Sequence, residues 1–155
     1  MRANIDGTFS NKRYFATFID DKYRFCVVFL IRSKLEILGV QFVKFAETQT
    51  GKRVKVIRSD NGGEFALGKF AAFCRDRGIV QKLTPPYTPQ LNGVAERMNR
   101  TLGESARCML EHADLSIEYW GKAVMTAAFL RNRCPTRATG NDKSPYKFWT
   151  QKKPL

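Results

Sequence analysis

Histidine and paired cysteine are scarce in this chain, and their scarcity removes one function class at once. Cys26, Cys74, Cys108 and Cys134 include no Cys-x-x-Cys pair, and His112 is the single histidine. A structural zinc needs about four clustered nitrogen or sulfur ligands, so no zinc is expected. The scattered thiols read as small buried hydrophobes in a reducing compartment. No apolar run approaches the roughly eighteen residues of a membrane span, and no secretory leader pattern is seen. The expectation is a soluble, intracellular chain with no membrane partner. Acids are also few: Asp+Glu 14 stand against Lys+Arg 27, a formal charge of +13. That excess of cation favours a polyanion, nucleic acid first, over the bland alternative of a merely soluble basic protein. Apolar residues, by contrast, are plentiful. Over 155 residues, 43% hydrophobic and 12% aromatic content suits one globular domain with a core rather than a disordered tail.

Periodicity predicts a mixed α/β chain. Residues 1–12 are polar and read as a loop. Tyr14 to Ile19 and Phe25 to Ile31 are aromatic and β-branched runs around Asp20-Asp21-Lys22-Tyr23, an antiparallel hairpin. Ser33 stands where a helix N-cap belongs, and Leu35, Leu38, Phe42 and Phe45 recur at helical spacing until Gly51. Val54 to Ser59 reads as a buried strand, Phe65 to Arg77 as a helix with Phe70 and Phe73 inward, and Ile79 to Leu83 as a short strand. Pro85, Pro86 and Pro89 exclude regular structure and predict a surface loop. A long helix from about Val94 to His112 carries the stripe Ala95, Met98, Leu102, Ala106 and Met109. A last amphipathic helix over Ile117 to Arg131 would pack Tyr119, Trp120, Ala123, Ala127 and Leu130, and Pro135 closes it. Residues 136–155 read as a basic extension, with Lys143 to Leu155 a Pro-ended tail.

Two stretches carry chemistry together. The first strand-end stretch is Val56-Ile57-Arg58-Ser59-Asp60-Asn61-Gly62-Gly63-Glu64-Phe65, in which a β-branched run stops at an acid and two glycines. The second, Tyr87-Thr88-Pro89-Gln90-Leu91-Asn92-Gly93-Val94-Ala95-Glu96-Arg97-Met98-Asn99-Arg100, is a loop opening a helix. Glu96 lies one position off the apolar stripe, beside Asn99, Arg100 and Gly103, so it can face a cleft while the helix packs. A carboxylate at a strand end and another on a helix's first turn suit hard divalent cations, which prefer oxygen ligands and leave positions for phosphate. Two such ions about 3.5–4 Å apart clamp the attacking and leaving oxygens of a phosphoryl transfer. Taken singly, Asp60 is a solvated acid and Asp-Asn-Gly-Gly a turn. Taken together, with 35 residues between Asp60 and Glu96, they are specific.

At these residues the chain resembles the integrase catalytic core of copia-type retrotransposons, relatives of retroviral integrases with a D,D-35-E signature. The resemblance takes in Tyr14 through Asp21, Arg58 through Phe65 and Tyr87 through Thr101. It extends to Trp120, to Asn132-Arg133-Cys134-Pro135-Thr136, and to Ser144-Pro145-Tyr146 with Trp149. It implies an α/β, ribonuclease-H-like mixed sheet flanked by helices, with Asp60 and Glu96 as second and third metal-binding acids for Mg²⁺ or Mn²⁺. DNA is the implied partner, both element ends and target, with at least a homodimer, in the nucleus or a cytoplasmic particle. Asn61 and Gly62 would let backbone approach a phosphate closely, Gln90 and Asn92 would contact DNA as the family's loop does, and Arg97 and Arg100, on or near the Glu96 side of the helix, are phosphate contacts by position. Each also has a plainer reading, as an αL turn, as loop polarity and as a basic helix face respectively.

The chain departs from the family pattern at the first acid. In the family this Asp lies roughly twenty residues before the Phe18-Ile19-Asp20-Asp21 motif, ahead of a Cys-Gly-Pro-Met segment whose Met resembles Met1. The expectation is a core that begins just downstream of its first catalytic acid, a piece of a polyprotein. Asp20 and Asp21 read as turn formers; Asp6 completes the site only if residues 1–12 fold back along the sheet edge. Lys52, Arg53, Lys55 and Arg58 form a second basic cluster and Lys143, Lys147, Lys152 and Lys153 a third, neither shaped to read sequence. Binding is then mainly electrostatic and steeply salt-dependent. Trp120 and Trp149 read as packing residues rather than base-stacking platforms. The rival functions are a catalytically inactive descendant that binds nucleic acid or partners through the same fold, and ribonuclease-H-type hydrolysis, which lacks the flanking motifs.

Overall fold

The computed structural model describes residues 12, 14–32, 38–59, 68–85, 92–140 and 143–154. Among these residues four strands and five α-helices follow: β1 (Tyr14–Ile19), β2 (Cys26–Ile31), α1 (Leu38–Thr50), β3 (Val56–Ser59), α2 (Lys69–Asp76), β4 (Val80–Leu83), α3 (Gly93–His112), α4 (Trp120–Arg133) and α5 (Pro145–Thr150). Short 3₁₀ turns at Ile117–Tyr119 and Arg137–Thr139 flank α4. Contacts cluster in two compact units, Met1–Ser33 with Ala95–Leu155, and Lys34–Val94.

The first unit is built on the β1–β2 hairpin, antiparallel with Tyr14 opposite Ile31 and Ile19 opposite Cys26. Its turn is closed by Asp20. The Asp20 carboxylate accepts the Tyr23 N–H at 2.6 Å, and the Asp20 N–H donates to the Phe25 carbonyl at 2.8 Å. Asp21 pairs with Arg24 at 2.7 Å, and Arg24 takes the left-handed conformation at φ 61°. These acids form the turn, as their position between two strands predicts.

Against this hairpin the core gathers Cys26, Met98, Leu102, Ala106, Leu110, Trp120 and the small residues of α4. The stripe on α3 closes on buried Leu110, while Met109 beside it is half-buried. On α4 the buried set is Trp120, Gly121, Ala123, Val124, Ala127, Ala128 and Asn132. Leu130 is 48% exposed, which corrects its expected place in the core. At 3.6 residues per turn Leu130 lies about 80° round the helix from Trp120, just past Ala123 at the edge of the buried face. Small residues on the inner face let α4 approach the hairpin closely: a Cβ at Gly121 would sit 2.9 Å from a Leu30 methyl.

The segment after Pro135 is folded, where the sequence suggested a tail. Thr136 and Thr139 cap the turn at Arg137–Thr139 reciprocally, and the Thr139 hydroxyl also donates to the Lys143 carbonyl. Ser144 caps α5 by accepting the Lys147 N–H, with Pro145 at the first helical position. That helix stacks Phe148 on Tyr23 (centroids 4.5 Å apart) and Trp149 on Phe25 (4.8 Å). Trp120 packs on Phe15 at 6.2 Å. Both tryptophans thus serve packing.

In the second unit β3 and β4 pair in parallel, Val56 with Val80 through Ser59 with Leu83. The core here is Val43, Phe70, Cys74 and Ile79, with Val54, Ile57 and Phe73 packed against it. On α1 Gly39, Val43 and Ala46 are buried, while Phe45 is 37% exposed. Gly39 is required by close approach, because a Cβ there would lie 2.2 Å from the Phe70 ring. Gly78 stops α2 in the left-handed conformation at φ 68°. The β3 strand is not buried on both faces as its sequence suggested: Val56 is 48% exposed and Val80 54%. Among the described residues the strands form two separate pairs, β1–β2 and β3–β4. No described helix is long and apolar enough to cross a membrane.

Candidate catalytic and nucleic-acid-binding site

Glu96 falls on the first turn of α3, where a carboxylate complements the positive end of the helix dipole. It is exposed and makes no ion pair with any described residue, so its oxygens are available to a cation. One turn further on, Asn99 fixes the helix to the hairpin: the Thr17 hydroxyl donates to its Oδ1 at 2.7 Å. Met98 and Leu102, flanking that bond, are buried in the core of the same unit. Glu96 is therefore carried by a helix start held both by apolar packing and by a named hydrogen bond.

Arg97 and Arg100 are exposed on the same helix, and neither is ion-paired with a described residue. Arg100, four residues after Glu96, shares its face. Asn92 is half-buried at the turn that enters α3. Asp60, Asn61, Gly62 and Gln90 lie outside the described residues, as do Asp6, Ser33 and most of the proline loop. β3 ends at Ser59, directly before Asp60. Asp20, the other acid weighed upstream, is committed to the hairpin turn by its bond to the Tyr23 N–H. Among the described residues no group of three or more His, Cys, Asp or Glu is placed to hold a metal.

Two features near these elements were not legible as sites. The first is Asn132, buried at 6% exposure at the end of α4. Its carboxamide accepts the Cys26 N–H at 2.9 Å and donates to the Cys26 carbonyl at 2.7 Å, treating β2 as a neighbouring strand would. Arg133 beside it lies between the rings of Phe129 and Tyr146, 3.4 and 4.4 Å from their centroids. These contacts give the Asn132-Arg133-Cys134-Pro135-Thr136 stretch a structural task. Burial pushes the Cys26 thiol up to about 11, against a smaller opposing effect of the Arg131 charge. The second feature is a hollow of about 280 Å³ at the carboxyl ends of β3 and β4, lined by Arg58, Lys82, Leu83 and Thr84. Arg58 was visible as part of a basic cluster; Lys82 and Thr84 joined it only through the strand register.

A family model described as "Integrase core domain" matches residues 3–89, a span that includes Asp60 and stops before Glu96. The chain is 44% identical over 142 residues to the retrovirus-related Pol polyprotein from transposon TNT 1-94 of Nicotiana tabacum, covering 90% of this chain and 11% of that protein. It is 32% identical over 128 residues to the corresponding polyprotein from transposon RE2 of Arabidopsis thaliana, covering 81% of this chain and 9% of that one. The polyprotein from transposon RE1 of the same plant is 33% identical over 129 residues, with 81% and 9% covered. This chain thus spans about a tenth of the length of the curated relatives it matches. Among solved structures it is similar to a chain of the simian T-cell lymphotropic virus intasome in complex with PP2A regulatory subunit B56 gamma. That match has a TM-score of 0.70 at 18% identity and covers 87% of this chain and 47% of that one. The likeness is one of fold, an α/β architecture of ribonuclease-H-like type.

Proposed function

We propose a function from one premise: this chain belongs to the integrase core domain family. It acts as the core of a copia-type retrotransposon Pol polyprotein and joins element 3′ ends to target DNA. The observation that carries the reading is Glu96, an exposed carboxylate without an ion-pair partner among the described residues, on a helix start pinned to β1 through Thr17 and Asn99. Asp60, which follows β3 in the sequence with 35 residues between it and Glu96, is the acid it works with.

Members of this family are generally dependent on a divalent metal. An all-carboxylate donor set fits Mg²⁺ or Mn²⁺ and not zinc, and Asp60 and Glu96 would hold the cation. When bound, it supplies Lewis-acid stabilisation of charge on the attacking and leaving oxygens. The chain's own residues do the rest. Arg97 and Arg100 neutralise phosphate charge along α3, while Asn61, Gly62, Gln90 and Asn92 contact the substrate strand beside the acids. A 3′-hydroxyl oxygen (or water, in end processing) forms the new bond to phosphorus. The bond from phosphorus to the leaving 3′-oxygen breaks, the nucleophile's proton passes to solvent, and no covalent enzyme intermediate forms. Element ends and target DNA are the partners, the unit is at least a homodimer, and the work is done in the nucleus or a cytoplasmic particle.

The test is strand transfer with Mg²⁺ or Mn²⁺ by the chain and by Glu96→Gln. Joining falls by more than the roughly 100-fold that losing an outer-shell partner costs. Joining unchanged in the variant rules the mechanism out. A second reading, a descendant that binds nucleic acid without catalysis, is favoured by Asp20 being spent on the hairpin turn. Manganese calorimetry separates the two: two ions bound tightly and lost in Glu96→Gln mean a complete site, and one weak ion means a scaffold.

A further inference from the structure

The hollow at the carboxyl ends of β3 and β4 carries chemistry that the acids do not use. Arg58 and Lys82 are direct partners in the parallel register. Like charges directly opposite each other on a sheet are destabilising. Neither side chain is ion-paired with a described residue, and both are exposed. One position beyond the strand, the Thr84 N–H donates to the Ser59 carbonyl at 2.9 Å, which fixes Thr84 at the mouth of the sheet. Its hydroxyl oxygen is buried without a hydrogen-bond partner. A buried hydroxyl left unsatisfied is costly, and groups of this kind are the ones a ligand satisfies.

We propose that Arg58, Lys82 and Thr84 form a binding site for a backbone phosphate of duplex DNA. The planar guanidinium of Arg58 presents a fork of donors to two phosphate oxygens, and Lys82 adds a point charge. The Thr84 hydroxyl donates to a third oxygen. An anion relieves the repulsion between the opposed cations and satisfies the hydroxyl in one step. The carboxyl ends of parallel strands are where open α/β sheets place their ligands. Exposed Leu83 walls the hollow on an apolar side, which suits the sugar edge beside a phosphate. The site rests on the reading above only in taking nucleic acid as the partner. It needs neither metal nor joining activity.

The experiment measures anisotropy of a short labelled duplex with the full chain in EDTA, across a potassium chloride series. The double variant R58A/K82A binds about tenfold more weakly, and its slope of log affinity against log salt falls by roughly two. The double variant K44A/R75A removes the same charge from exposed positions on α1 and α2. Its affinity stays within about twofold of the parent, as expected for residues making no phosphate contact. Thr84→Val binds roughly threefold more weakly with the slope unchanged, and melts higher without DNA because the orphan hydroxyl is gone. Inorganic phosphate at constant ionic strength competes with the duplex on the parent and not on R58A/K82A. Equal weakening by the two double variants overturns the hollow and leaves general electrostatics. Phosphate binding at the hollow with duplex affinity unmoved in R58A/K82A overturns the assignment to DNA. A parent chain that binds no duplex at low salt overturns nucleic acid as the partner and this site with it, whereas a failed joining assay leaves the measurement intact.

Discussion

The hairpin β1–β2 and the parallel pair β3–β4 both carry β-branched residues, aromatics stand only in the hairpin, and the two pairs end in opposite states. The hairpin is tied in at several points: Asn99 takes the Thr17 hydroxyl, Asn132 brackets the backbone of Cys26, and Phe148 and Trp149 stack on its turn. The parallel pair packs one face on Phe70, Cys74 and Ile79 and leaves Val56, Arg58, Val80 and Lys82 exposed on the other. Parallel strands are usually covered on both faces. The hairpin unit therefore reads as scaffold, with Asn99 and Asn132 pairing with its strands. Its own unpartnered buried donors, the Trp120 and Trp149 indole N–H groups and the Arg133 Nε, belong to side chains held by ring packing. The β3–β4 unit keeps opposed cations and an orphan hydroxyl that nothing among its described residues satisfies.

The sharpest way to break this comparison is Asn132. If the hairpin is held by the pairing of its strand backbone, Asn132→Ala leaves the Cys26 N–H and C=O buried without partners. The expected loss is about 2–4 kcal/mol, read by urea denaturation, from two unsatisfied backbone groups. A loss within the range of an ordinary surface substitution, about 0.5 kcal/mol, would remove Asn132 from the scaffold.

That role was not legible in the sequence, and the reason is physical. Periodicity reports which face of a helix is apolar, so the hairpin, α2 and the stripe Met98, Leu102 and Ala106 on α3 were all readable. It does not report that a polar residue 106 positions away in the chain will serve as a strand's missing neighbour. The failure at Leu130 has the same root. Hydrophobicity ranks leucine above alanine, yet close approach to the hairpin selects Ala127, Ala128 and Gly121 for the inner face. The Ser144-Pro145 pair was a cap-and-first-turn signal, outweighed in the sequence by the lysines around it. At the candidate site, Glu96 on the first turn of α3 followed from the loop residues and the apolar spacing. The hollow did not, because Lys82 and Thr84 acquire meaning only from their register with Arg58 and Ser59.

A second prediction uses the thiol that Asn132 helps to bury. Folding raises the Cys26 value from 9.0 to about 11. The folded state thus keeps the proton while the unfolded chain releases it. This contribution is fully present below pH 9 and is lost as pH rises from 9 to 11, on the order of 1–3 kcal/mol. Lysines and tyrosines also titrate in that window, so the readout is the difference between parent and Cys26→Ala across it. The expected result is a parent that loses more stability than the variant between pH 9 and 11. Parallel curves would show that the thiol is not held in a dry core. Exposed Cys108 and Cys134 are the thiols that react first with alkylating reagents at neutral pH.

The smallest effect tests whether the scaffold serves the acid it carries. Thr17→Val keeps the shape and the branching that β1 favours, and removes only the donor to Asn99. Stability falls by about 1 kcal/mol, the net worth of one hydrogen bond. If that bond positions Glu96, joining falls by as much as roughly tenfold while the unfolding transition stays cooperative, the scale seen when a group orienting a metal ligand is lost. A variant that loses the stability and keeps its joining rate shows a helix start held by Met98 and Leu102 alone. The bond would then belong to the scaffold and not to the site. The split between stability and rate is the decisive quantity, because packing and positioning otherwise predict the same direction of change.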